Sequence, residues 1–191
     1  MKTRNHLTHI LLMFACLMAA LPALASSIVY SNGPFGGIDG WTINFGFSVA
    51  DSFYLGAQTQ VTGTVFYVVE FPGDTVTSVN WQITGGAKLN KTLPHGIADT
   101  TNSHGQGLLV DKPTFSYDTI TLTLPPFILP AGTYWITFSN AVTAQGNPVY
   151  WDENDGIGCT GWKGTTQGCP SLARENSVGT IPSESFSIWG N

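Results

Sequence analysis

Charge is what this chain has least of. Of its 191 residues only 10% are Asp, Glu, Lys or Arg, seven basic against twelve acidic, for a formal net charge of -5. So few cations make no basic surface for a phosphate backbone, which argues against nucleic acid as a partner. Helical rhythm is missing too. No stretch sustains apolar residues at 3.6-residue spacing between caps, which argues against a helix bundle and against alternating βαβ units. Beyond residue 25 no apolar run approaches the ~18 residues a membrane helix needs, so no membrane span is expected in the mature chain. Internal repeats, charge runs and Ser/Pro linkers are also lacking, which leaves one domain. Cysteine is scarce, with three in all.

What is present starts with a leader. Lys2 and Arg4, the uncharged run Ile10 to Leu21, Pro22 and then Ala23-Leu24-Ala25 read as the parts of a secretory signal peptide. An apolar run of about a dozen residues is too short to cross a hydrocarbon core about 30 Å thick. Residues 1–25 are therefore expected to be removed. Residues 26–191 would then form the folded domain, exported to the periplasm, cell surface or medium. Cys16 leaves with the leader, so Cys159 and Cys169 remain in an oxidising compartment and a disulfide between them is expected. Closing that loop would restrain the unfolded chain by roughly 3 kcal/mol on the loop-entropy account. A zinc site at this pair lacks the C-x-x-C spacing and nearby histidines.

The exported part reads as strands. Trp41, Ile43, Phe45, Phe47 and Val49 alternate with small or polar residues, which predicts one extended segment over 41–49. Val61 to Glu70 and Thr75 to Thr84 flank Pro72-Gly73-Asp74, a hairpin or a sheet corner. Ile120, Leu122 and Leu124 alternate with threonines up to Pro125-Pro126, where pairing should stop. Tyr134, Ile136 and Phe138 share a face, and shorter candidates lie at 28–31, 53–56, 107–110, 148–151 and 185–188. The stretches 85–105 and 152–182 look irregular. Many short strands with turns about every ten residues predict an all-β fold, an antiparallel β-sandwich of jelly-roll type.

Several strings carry a resemblance. Ala131-Gly132-Thr133-Tyr134-Trp135, the corner Phe71-Pro72-Gly73-Asp74-Thr75, Tyr150-Trp151-Asp152-Glu153-Asn154, and Gly179-Thr180-Ile181-Pro182-Ser183-Glu184-Ser185-Phe186 are similar to a group of secreted bacterial proteins whose members often end in a PEP-CTERM sorting segment. No such tail follows Trp189-Gly190-Asn191, so free secretion is the expectation. The resemblance implies an exported envelope or matrix component and carries over no functional residue.

Candidate chemistry is sparse. There is no Gly-x-Ser-x-Gly elbow for a serine nucleophile. Glu70, Glu153, Glu175 and Glu184 lack the spacing of a glycosidase strand, so a carbohydrate-active hydrolase would have to draw its carboxylates from distant strands. His95 and His104 flank Asp99 in a polar stretch, at a spacing that suits no compact ligand pair. Asp152-Glu153-Asn154-Asp155-Gly156 gathers hard oxygen ligands, and Asp152, Glu153 and Asp155 could serve calcium. The fifth position of an EF-hand is already Gly156 here, and the plainer alternative is a solubilising acidic turn. No other cofactor is implied. Trp151, at a strand end, and Trp162, inside the 159–169 loop, set aromatic faces beside Asp152 and Asn154, an arrangement that suits a sugar ring. The plainer alternative packs Trp162 into its own loop. The function expected is a secreted, non-catalytic protein that adheres to extracellular polysaccharide or envelope components. The rivals are a hydrolase and a structural subunit that self-associates through exposed strand edges.

Overall fold

The structure, a computed structural model, describes residues 25–37, 39–85, 91–99, 101–103, 108–109, 112–154 and 172–191. Residues 1–24 of the expected leader, His104, Asp155, Cys159, Trp162 and Cys169 lie outside the described residues, and the expected disulfide falls there with them. The strands are β1 (Ser27–Ser31), β2 (Asp39–Thr42), β3 (Ser48–Leu55), β4 (Thr59–Glu70), β5 (Val76–Gly85), β6 (Lys91–Asp99), β7 (Thr101–Ser103), β8 (Leu108–Leu109), β9 (Lys112–Leu129), β10 (Gly132–Thr143), β11 (Val149–Glu153), β12 (Ala173–Glu175), β13 (Gly179–Ile181) and β14 (Phe186–Gly190). No helix occurs among the described residues. The chain is all-β, as its alternation predicts.

The strands form two antiparallel sheets, one of eight strands and one of six. In the larger sheet β4 is the spine. β9 pairs along one edge of it, from Thr59↔Leu129 to Glu70↔Ser116, while β14 and then β11 share the other edge. β1 and β2 continue outward from β14 and β11, and β7 and β8 from β9. The smaller sheet runs β13-β12-β3-β10-β5-β6. Successive strands β3, β4 and β5, and again β9, β10 and β11, switch sheets, so their connections turn corners across the core. The Pro72-Gly73-Asp74 turn is such a corner, with Gly73 at a φ of 82°.

Alternation puts the apolar side of each sheet inward. Val61, Phe66, Val68, Ile120, Leu122, Trp151, Phe186 and Ile188 of the larger sheet meet Val49, Phe53, Leu55, Val79, Ile83, Ile136 and Phe138 of the smaller in one core. Phe138 stands at the centre, its ring centroid 4.1 Å from Phe66 and 4.7 Å from Trp151. Each such side chain contributes about 1.5–3 kcal/mol on burial.

Three expectations are corrected. The segment 41–49 is two strands: Phe45 (φ 55°) and Gly46 (φ 89°) turn the chain from the larger sheet to the smaller, and Phe47 N–H closes the turn on the Asn44 carbonyl at 3.0 Å. Ile43 stays in the core, but Phe45 and Phe47 are exposed. Pairing does not end at Pro125-Pro126. β9 resumes contact with β4 at Phe127↔Val61, and the prolines ride in the register shift between Val61 and Gly63, where no ladder N–H is required of them. Finally, β6 pairs with β5 from Ser78↔Asp99 to Gly85↔Lys91, inside a stretch expected to be irregular.

Candidate functional site

On the outer face of the larger sheet, the positions that alternate with the core line a groove of about 310 Å3. Val65 of β4, Thr121 and Thr123 of β9 and Trp189 of β14 face it, with Ser26 and Thr62 also along its lining. The β4–β9 bulge presses the two backbones together at Gly63, where a Cβ would stand 2.7 Å from the Leu122 carbonyl oxygen, so glycine alone fits. Trp189 is half-buried, and its Nε1–H donates to Ser187 Oγ at 3.2 Å, which holds the indole over the sheet. Ser26 Oγ and Thr62 Oγ1 share a hydrogen bond of 2.5 Å that ties the start of the described chain to the groove. Among the described residues no Asp, Glu, Lys, Arg or His side chain lines this groove. An indole beside a row of hydroxyls suits a pyranose ring, whose C–H face stacks while its hydroxyls find polar partners.

The sugar platform expected at Trp151 is not there. Trp151 is 0% exposed, packed against Phe66, Phe138 and Phe186, and its Nε1–H donates to the Ser185 carbonyl at 3.0 Å. A ring with no free face stacks on no ligand. Asp152 and Asn154 are equally buried and serve the chain itself. The Gly36 and Gly37 N–H groups donate to Asp152 Oδ2 and Oδ1 at 2.7 and 2.8 Å, while Asn154 Nδ2 donates to the Asn32 carbonyl. Burial pushes the Asp152 carboxyl up to about 6, against the lowering effect of those donors. Glu153 accepts from Trp41 Nε1–H at 3.0 Å. Consecutive strand residues point to opposite faces, so Asp152 and Glu153 do not converge. Among the described residues no three His, Cys, Asp or Glu groups come together as a metal site. The calcium set of Asp152, Glu153 and Asp155 thus loses its first two members to hydrogen bonds within the fold, and its third lies outside the described residues.

Where β11 and residues 183–185 approach Asp51 of the smaller sheet, the fold gathers a buried acidic knot. Residues 183–185 run beside β11, with a bridge between Glu153 and Glu184. From the smaller sheet Asp51 accepts the Glu184 N–H at 2.7 Å and Asn32 Nδ2–H at 3.1 Å on Oδ2, and the Ser52 N–H at 2.6 Å on Oδ1. Both Glu184 carboxyl oxygens are buried without a hydrogen-bond partner. Burial, then Asp51, Glu153, Asp152 and Asp39, hold that carboxyl well above the ordinary glutamate range. Asp51 and Asn32 were not legible as site residues in the sequence.

A second pair of acids meets on the inner face of β4 and β9. Glu70 hydrogen-bonds Asp118, and burial followed by Asp118 and Asp74 pushes its carboxyl up to about 9. Both are nearly sealed, Glu70 1% and Asp118 3% exposed. Asp74 instead accepts from Thr75, Gln145 and Asn147 at the corner, and these donors hold it below the usual carboxylate range against the opposing effect of burial. Glu175 closes its own turn on Ser177 and Val178. His95 is exposed on β6. Comparison with known proteins gives no match, either to a protein-family model or to a curated protein.

Proposed function

We propose that the chain is exported, loses residues 1–25, and acts outside the cytoplasm as a non-catalytic β-sandwich of jelly-roll type that holds a carbohydrate of the envelope or matrix. The groove beside Trp189 carries this reading: an oriented indole and threonine hydroxyls on an outward sheet face, with no charged side chain among the described lining residues. The likeness of its turn motifs to secreted PEP-CTERM-type proteins supports the compartment, and a Cys159–Cys169 disulfide belongs to the same reading. Thiol titration of the exported protein under denaturing conditions checks the disulfide, with no free thiol expected.

Glycan-array binding by the native chain and by Trp189→Ala tests the groove. The variant should lose at least about tenfold in affinity, with its unfolding midpoint little changed because the indole is only half-buried. Equal binding by both proteins would defeat the reading. The hydrolase alternative draws on the Glu70–Asp118 pair, two carboxyls joined by a hydrogen bond. Its burial on the inner face leaves a glycosidic bond no approach, so Glu70→Gln is expected to leave glycan binding intact.

A further inference from the structure

Ser26, which lines the groove, is also the residue that signal-peptide removal would expose. Cleavage after Ala23-Leu24-Ala25 converts the amide nitrogen of Ser26 into a free α-amine. That amine would sit in a groove where no charged side chain lines the wall among the described residues, on a residue fastened to Thr62 through its hydroxyl. We infer that leader removal completes the binding site, placing a terminal ammonium in the Trp189 groove that selects carboxylate-bearing saccharides, of the uronic acid kind, over neutral ones. This deepens the proposed glycan-binding reading and rests on it and on cleavage after Ala25.

The chemistry is complementary. A pyranose stacked on Trp189 would turn its substituents toward Thr121, Thr123 and Thr62, whose neutral hydroxyls donate to either group and cannot sharply tell a carboxylate from a hydroxymethyl group. An ammonium can, because a charge-assisted N–H···O contact is roughly twice as strong as a neutral one. No acidic side chain among the lining residues competes for it. The uncleaved chain has a neutral peptide bond at the same place, so the precursor would lack this preference.

The test expresses the full chain with its leader and purifies the exported product, whose first residue is read by mass spectrometry. The probes are trigalacturonate, triguluronate and a hyaluronan tetrasaccharide, each beside its methyl ester, which keeps the ring and removes the charge. The α-amine is acetylated at pH 6.5, where lysines with a pKa near 10.4 are protected by their protons. The expected result is a chain that begins at Ser26 and binds at least one acid about tenfold more tightly than its ester. That preference should vanish on acetylation, and also as pH rises through about 8, where an α-amine loses its proton. The residual ester binding should depend on Trp189. A different first residue, or an acid preference that is absent or survives acetylation while Trp189→Ala still weakens binding, overturns the inference and leaves the groove. Failure of all six saccharides to bind, or binding indifferent to Trp189→Ala, overturns both.

Discussion

The carboxyls of Glu184 and Glu70 both lie above the ordinary glutamate range, and the cause in both is burial beside other acids. A folded-state pKa raised above the unfolded value means that the contribution to stability is whole below the unfolded pKa and drains away as pH rises toward the folded one. For Glu70 that window runs from about 4.5 to about 9. Replacing the acid by its neutral isostere removes the loss. Glu70→Gln should therefore be less stable than or equal to the native chain near pH 4.5 and more stable near pH 8, read as urea midpoints; a variant destabilised at both would show that the amide cannot take the acid's place beside Asp118. Gly63 poses a steric question instead. A methyl group 2.7 Å from the Leu122 carbonyl must push two paired backbones apart, so Gly63→Ala should cost about 1–3 kcal/mol in equilibrium unfolding.

At the scale of elements, the turn between β2 and β3 keeps Phe45 at a left-handed φ of 55° while leaving it 64% exposed. A bulky residue there carries strain and gains little from packing. Phe45→Asn should stabilise the fold by about 0.5–1 kcal/mol, with glycan affinity unchanged, and denaturant unfolding reads it directly. The same turn shows what periodicity can and cannot say. β4, β5 and β10 were legible because each buries one face, which writes alternation into the chain. Across 41–49 the alternation runs on through the turn, and two solvent-facing phenylalanines mimic a core stripe. Pro125 and Pro126 misled in the opposite sense, because a bulge excuses them from the ladder. The sites were less legible than the strands. Asp51 meets the Glu184 N–H across 133 residues, a contact made by topology alone. Trp151 looks like a strand-end aromatic until residues 183–185 are laid beside it, and Trp189 shows as groove-facing only once β14 is paired to β4.

For the whole molecule, the acids divide into two sets with opposite pH behaviour. Glu70, Glu184 and Asp152 are raised, the last to about 6, and favour folding in acid; Asp74 and Glu175 are lowered, and their contribution is lost only as pH falls below the ordinary carboxylate range. The native chain should therefore be most stable in the mildly acidic range and lose stability steadily toward pH 9, the reverse of a protein held by ionised acids. Urea midpoints at pH 5, 7 and 9 check this, and a midpoint that climbs with pH would contradict it. The pairing of β1 with β14, and the two backbone hydrogen bonds between Asn191 and Gln60, have a practical corollary. The first and last described residues therefore lie along one border, next to Trp189. A purification handle or chip linker fused at either end would overhang the surface under study and mimic weak affinity. Grafted at the exposed Pro72-Gly73 corner beyond the opposite end of β4, the same handle would leave that surface open.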